Sequence, residues 1–285
     1  MKNKNILTSV LLIYVICFIL RLIEYFILRT DYTVIGEALF HKLAGILILV
    51  IFARIYKYRA DEVGFSLYKC ELKLATGLLF GLVCFTIAYF VEVLITKASG
   101  SYSGLKLYVT SYSVNGNLGN QTGLLFFALC IFGNIVNVVM EEGVFRGLFI
   151  RRLQEKFSYS STAIISAVLF GFWHGVGPVR SFIDGESSAF ALCMNCLILI
   201  LSSAVVGYKY GLITKITGSG FMAMGDHFVN NTLVNVLHVV SENGADQLQI
   251  IRISIAQTLS FILVLVWHFY SKNHKKVLQV NESIE

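Results

Sequence analysis

The stretch GLLFFALCIFGNIVNVVMEEGVFRGLF, Gly123–Phe149, decides the fold. It is apolar for more than the ~20 residues a helix needs to cross a hydrocarbon core, yet near its end it carries two adjacent carboxylates, Glu141 and Glu142, and Arg146. Similar apolar runs extend on both sides. Eight are counted: Ile6–Ile27, His41–Ile55, Leu74–Ile95, Gly123–Phe149, Ser161–His174, Ala189–Tyr208, Ser219–Val240 and Leu248–Tyr270, the second and fifth being short. The chain of 285 residues is 56% hydrophobic and 14% charged, against about 25% charged in a soluble domain, with one proline and a mean hydropathy of +0.72. Only helices and closed barrels satisfy their backbone in lipid, and a barrel would show short alternating segments. The expectation is an all-α polytopic bundle of about eight transmembrane helices, a single integral membrane domain over 1–285.

Basic residues flank the runs. Residues 1–5 and 271–276 are basic, so both termini are expected on the cytoplasmic side, as an even number of spans requires. Loops expected inside hold Arg54, Lys57 and Arg59, then Arg151, Arg152 and Lys156, then Lys209 and Lys215. Loops expected outside are poorer: 99–122 is mostly Gly, Ser, Asn and Tyr, 175–188 sets Arg180 against Asp184 and Glu186, and 241–247 is acidic. This is the positive-inside pattern. The net charge of +6 reports topology and is no nucleic-acid signature. The first run, with Arg21 and Glu24, is too long and too charged for a cleaved leader. Six cysteines give no disulfide framework. Cys193-x-x-Cys196 has no second Cys/His pair of zinc-site spacing and reads as an i,i+3 pair of small hydrophobes.

Ionisable groups inside such runs are costly unless they pair or line a wet cavity, and are functional candidates by default. Three clusters qualify. In MEEGVFRG (Met140–Gly147), Glu142 and Arg146 lie i,i+4 in the favourable acid-first order, and Glu141 sits about 100° around the helix. The arginine can hold one carboxylate while the other points elsewhere, free to act as a general base; the plainer reading is a salt-bridged turn at a membrane edge. In FGFWH (Phe170–His174), His174 closes an apolar run beside Trp173, which also suits an interfacial aromatic belt. In HFVNN (His227–Asn231), His227 and Asn231 share a face, with Asp226 one step around; polar glue between helices is the alternative. His238, eleven residues past His227, returns to that face nearer the outer end and reads as structural.

Depth links the clusters. From Arg151, Glu141 lies ten residues deeper, about 15 Å; His174 lies about 20 Å in from Ser161, and His227 about 15 Å beyond Thr217. Two chemistries stay open. Glu141, His174 and His227 are donors for zinc or another divalent metal, with a second carboxylate as base. Alternatively Glu141 and one histidine activate water directly, and His227 and Asn231 donate to the oxyanion of a tetrahedral intermediate. Both end in hydrolysis of an amide within the membrane. No Ser, Cys or Thr sits in a nucleophile setting.

The ordered set Glu141-Glu142-x-x-x-Arg146, Phe170-x-x-x-His174 and His227-x-x-x-Asn231 resembles the CPBP family of CAAX proteases and bacteriocin-processing enzymes, also called Abi. The resemblance covers about 120–235, within a family-like core of 120–240. It implies an intramembrane endopeptidase, usually termed a metalloprotease, similar to type II CAAX prenyl endopeptidases. By that likeness Glu141 activates water with His174, while His227 and Asn231 hold the oxyanion. Glu142, Arg146 and Phe170 would shape the site or hold a membrane-embedded or lipid-modified peptide; there is no H-E-x-x-H. Asp226 has no counterpart role. The alternatives are a non-catalytic immunity or scaffold protein of the same fold, and a proton-coupled transporter, which would more naturally show paired halves with broken helices.

Overall fold

The computed structural model describes residues 5–110 and 120–282. Met1–Lys4 of the basic amino end and residues 111–119 of the expected outer loop lie outside the described residues. The elements are α1 (Ile6–Ile23), α2 (Phe40–Ile55), α3 (Cys70–Ala98), β1 (Tyr102–Leu107), α4 (Leu124–Glu141), α5 (Ile150–Leu153), α6 (Tyr159–His174), α7 (Val176–Ile183), α8 (Ala189–Thr217), α9 (Phe221–Val236), β2 (Leu237–Ser241), β3 (Gly244–Ala245) and α10 (Gln249–Glu282). A π-helical stretch, Glu142–Phe149, joins α4 to α5.

The protein is an all-α, multi-pass integral membrane bundle. Among the described residues, six helical segments are long and apolar enough to cross a membrane: 6–32, 70–98, 124–153, 159–183, 189–217 and 249–273. Large apolar side chains point outward along them, Leu79, Phe90 and Val266 among others, as lipid-facing surfaces require. Two of the eight expected spans fall short of that crossing length. Helices α2 and α9 have 16 residues each, about 24 Å at 1.5 Å per residue. The short fifth run, by contrast, gains length because α7 continues α6 almost without a break.

Several boundaries differ from the sequence reading. Helix α8 runs to Thr217, so Lys209 is not in a loop; it is a fully buried residue within a helix. Arg180, expected in an outer loop, is buried on α7 and pairs with Asp31 at 2.9 Å. The seventh run stops being helical at Val236, and His238 lies on β2 rather than on the helical face of His227. It remains structural, with Nδ1 2.5 Å from Asp246 and its ring stacked on Tyr108 at 3.8 Å. There β1, β2 and β3 form a small antiparallel sheet that caps one end of the bundle. β-Branched Val239 and Val240 and the positive-φ Gly244 favour that hairpin over a further helical turn.

Helix α9, which carries the third motif, is held against α3 by small residues. A Cβ on Gly77 would lie 2.1 Å from the Met222 carbonyl oxygen, and one on Gly225 would lie 2.6 Å from that of Leu74. Such close backbone approach is how membrane helices gain packing energy where lipid supplies no hydrophobic drive. A second glycine, Gly81, follows Gly77 at the same small-xxx-small spacing and faces Asp226 and Val229.

Candidate functional site

The first motif lies on the joint between α4 and the π-helical stretch. Glu141 is the last α-helical residue, and Glu142–Phe149 is wound more widely. π-Helical turns inside α-helices are frequent at functional sites. Glu141, Glu142 and Arg146 are all buried, and the two carboxylates go separate ways. Arg146 Nε lies 3.3 Å from Glu142 Oε2, an ion contact without hydrogen-bond alignment. The guanidinium stacks over Phe170, 3.9 Å from the ring centre, with Tyr210 at 5.4 Å. Glu141 instead turns to Trp173, whose Nε1–H donates to Oε1 at 2.9 Å; its Oε2 faces Asn137 Nδ2 at 3.4 Å.

His227 joins the pair. Its Nδ1 is 2.9 Å from Glu142 Oε1 and its Nε2 is 3.6 Å from Glu141 Oε2. The ring stacks on Tyr210 at 5.0 Å. Each ring nitrogen of His227 thus faces a carboxylate oxygen, one from each glutamate. Both histidines meet the edge of Phe170, His174 at 4.6 Å and His227 at 6.3 Å between ring centres. Nδ1 of His174 is 2.8 Å from the Phe170 carbonyl oxygen. A carbonyl only accepts, so the neutral ring carries its proton on Nδ1 and presents Nε2 as a lone pair. Asn231 is buried one turn beyond His227, and its Oδ1 accepts from Asn230 Nδ2 at 2.8 Å.

The structure thus links Glu141, Glu142, Arg146, Phe170, His174 and His227 through direct contacts, with Asn231 on the same helix face as His227. His227 lies six residues into α9, closer to the helix start than the spacing from Thr217 implied. For a metal, the donor set fits in one respect only. His174 has the backbone-anchored Nδ1 typical of an imidazole ligand. Among the described residues, however, no three His, Cys, Asp or Glu side chains are gathered to hold an ion, and Glu141 and His227 already face protein partners with both polar atoms. The residues present do not make a ready cage. Cys193 and Cys196 are free, the former exposed.

Residues 123–233 match the family model described as Type II CAAX prenyl endopeptidase Rce1-like. This segment is Rce1-like. It contains all three motifs, and the family resemblance read from them is borne out over that segment; the chain is a multi-pass membrane protein, and the matched segment supports a membrane protease of this kind. A comparison with curated proteins finds no match.

The Rce1-like motifs leave several site residues unannounced. Trp173 read equally well as an interfacial aromatic, and only the fold shows its N–H on Glu141. Behind it Arg21 lies over the indole at 4.5 Å and bonds His41 Nε2 at 3.2 Å. Asp226 has a role after all. It pairs at 2.7 Å with Lys209, which also reaches Gln257 and Ser260 on α10. The partner positions are 17, 48 and 51 residues from Lys209 in sequence, so no spacing rule reveals them.

Proposed function

We propose that the chain is an intramembrane endopeptidase that hydrolyses a peptide bond of a membrane-embedded or lipid-modified peptide with water activated by Glu141. The observation that carries this reading is the division of labour between adjacent carboxylates. Glu142 takes Arg146 and His227 Nδ1, while Glu141, 2% exposed, keeps Oε2 against the looser 3.6 Å contact to His227. A buried carboxylate that no arginine or lysine neutralises is suited to take a proton.

The proposed route runs on side chains. Water bound at Glu141 Oε2 is oriented by the His174 Nε2 lone pair and gives its proton to Glu141 as its oxygen bonds to the scissile carbonyl carbon. Protonated Glu141 no longer holds His227 Nε2–H, which turns to the new oxyanion together with Asn231 Nδ2–H. Glu141 then passes the proton to the leaving nitrogen as the C–N bond breaks. Glu142 and Arg146 hold His227 and the Phe170 wall in place. The family description favours a prenylated C-terminal peptide as substrate, and the basic flanks favour cytoplasmic termini.

The test uses purified protein in lipid vesicles and a farnesylated CAAX peptide carrying a fluorescent reporter, with unprenylated apolar peptides beside it. Wild type is expected to cleave. Glu141→Gln and His174→Ala should each lose about 10²–10⁴-fold, the usual worth of a general base, while inserting and melting as wild type does. Full activity in Glu141→Gln overturns the mechanism. A wild type inert on every peptide favours the non-catalytic scaffold instead.

A further inference from the structure

The orientation of the Asn231 amide is fixed from outside the motifs. Lys209 is fully buried in α8, and an ammonium has three protons and no acceptor. All three have partners: Asp226 Oδ2 at 2.7 Å, Gln257 Oε1 at 2.8 Å and Ser260 Oγ at 3.0 Å. Ser260, having accepted, donates its own proton to the main-chain carbonyl of Gln257 at 3.1 Å. Gln257 must therefore present its oxygen to Lys209 and its nitrogen elsewhere. Nε2 of Gln257 donates to Asn230 Oδ1 at 3.0 Å, and Asn230 Nδ2 in turn donates to Asn231 Oδ1 at 2.8 Å.

Each amide has an acceptor end and a donor end, so the direction set at the ammonium passes unchanged along the chain. At its end Asn231 has its oxygen occupied and its Nδ2 left as the end that can donate. An isolated asparagine would choose between two nearly isosteric flips; here one is selected by a charge on another helix.

The geometry points to Lys209, Gln257 and Asn230 as a polarity-setting relay, a set of positioning residues that keeps Asn231 presenting N–H rather than C=O to the reacting carbonyl. The relay rests on the hydrolase reading above and adds to it residues from α8 and α10. None of the three belongs to the E-E-x-x-x-R, F-x-x-x-H or H-x-x-x-N patterns, and Gln257 lies beyond the matched segment 123–233.

Reversing the relay is a sharper test than cutting it. In Gln257→Glu the side chain keeps its length, but beside Lys209 the carboxylate is ionised and can only accept. Asn230 then turns its Nδ2 to residue 257 and its oxygen to Asn231, which flips to present Oδ1 to the site. With the farnesylated peptide in vesicles, Gln257→Glu should lose about 10²–10³-fold in kcat, the cost of an oxyanion donor, with KM little changed. Asn230→Leu removes the link that transmits the reversal and should cost less. The double variant Gln257→Glu/Asn230→Leu should recover to the level of Asn230→Leu alone. A double variant as poor as Gln257→Glu would show that the added charge acts through space and would overturn the relay, as would wild-type kcat in Gln257→Glu.

Should Gln257→Glu fail to fold, the neutral pair Gln257→Met and Asn230→Leu decides. As links of one chain their losses in kcat should not add; additive losses overturn the relay. Glu141→Gln, measured in parallel, separates the two levels. If it is inactive while Gln257→Glu is normal, only the relay fails; if wild type and Glu141→Gln are alike, the hydrolase reading fails and takes the relay with it.

Discussion

Replacing Gly77 with alanine tests whether the packing of α9 on α3 sets the catalytic geometry. The new methyl would start 2.1 Å from the Met222 carbonyl oxygen, with the Met222 Cα also within 3.0 Å. Both obstacles are backbone, so no rotamer change relieves them. To reach even a tight 3.0 Å the carbonyl must retreat by about 0.9 Å, and it can do so only if α9 slides or tilts. Overpacking of this kind costs about 1–3 kcal/mol of stability. The functional cost should be larger than that figure suggests, because Asp226, His227 and Asn231 ride on the displaced helix, and a misplacement of about 1 Å at reacting groups costs on the order of 10²-fold. The measurement is peptide cleavage at a temperature well below the melting point of the variant in detergent. Leu79→Ala, two residues on and facing lipid at 64% exposure, serves as the control and should change cleavage little. Near-normal cleavage in Gly77→Ala, or equal losses in the two variants, would refute the idea that this glycine contact places the third motif.

Three further outcomes are expected. In Gly207→Ala the added carbon lies 3.0 Å from both Arg146 Nη2 and Phe170 Cδ1, so cleavage should fall, whereas Gly211→Ala, whose carbon meets Ala163 at an ordinary 3.4 Å, should be silent; parity between them contradicts the placement of Arg146. Lys209→Met leaves the Asp226 carboxylate buried without its cation, a change worth about 3–5 kcal/mol, and should lower the melting temperature sharply; Lys209→Met/Asp226→Leu should restore much of it, and an unshifted single variant would rule the pair out as structural. At the capping sheet, burial raises the Asp246 carboxyl, but hydrogen bonds from His238 and Arg252 outweigh it and hold the group below its ordinary value. A depressed carboxyl stabilises above the unfolded value of about 3.9 and loses that contribution as pH falls through the folded one. Protection of the Val239 amide, which donates to Asp246 Oδ1 at 3.3 Å, should therefore weaken in acid below about pH 4, and Asp246→Asn should abolish that dependence; an identical acid profile in the variant would refute the linkage.

The sequence revealed the residues whose meaning is local. Glu142 and Arg146 pair at the expected spacing, Glu141 does turn elsewhere, and His227 and Asn231 share a helix face as their i,i+4 separation implies. Charge inside an apolar run is itself conspicuous, which is why the three clusters stood out before any fold was known. What stayed hidden is what depends on rotation about helix axes. Periodicity along α8 gives no hint that Lys209 points inward, since that helix is nearly uniformly apolar around its circumference, and a lysine near a span end reads by default as a topology marker. Trp173 suffered the same way, an indole being at home in an interface or on a carboxylate. The π-helical joint was likewise invisible: Glu142 and Arg146 meet in either winding, and only backbone geometry tells the two apart.

The buried charges outside the site then have a common logic. Lys209 joins α8, α9 and α10; Arg252 joins α10 to α3 through Glu92 at 2.7 Å; Arg180 joins α7 to the segment after α1 through Asp31 at 2.9 Å. None is needed for stability as such, since apolar replacements of buried ion pairs are often neutral or better. In lipid, though, greasy faces interchange at little cost, and helices with few distinguishing side chains can rotate about their axes without losing hydrophobic contact. A buried cation with two or three fixed acceptors admits one rotation only. For α9 that restriction is decisive, because a rotation of about 100°, one residue's worth, would carry His227 away from Glu141 and Glu142. The expensive charges around this bundle are best understood as devices that lock helix rotation, and the one nearest the motifs also sets the polarity of an amide within them.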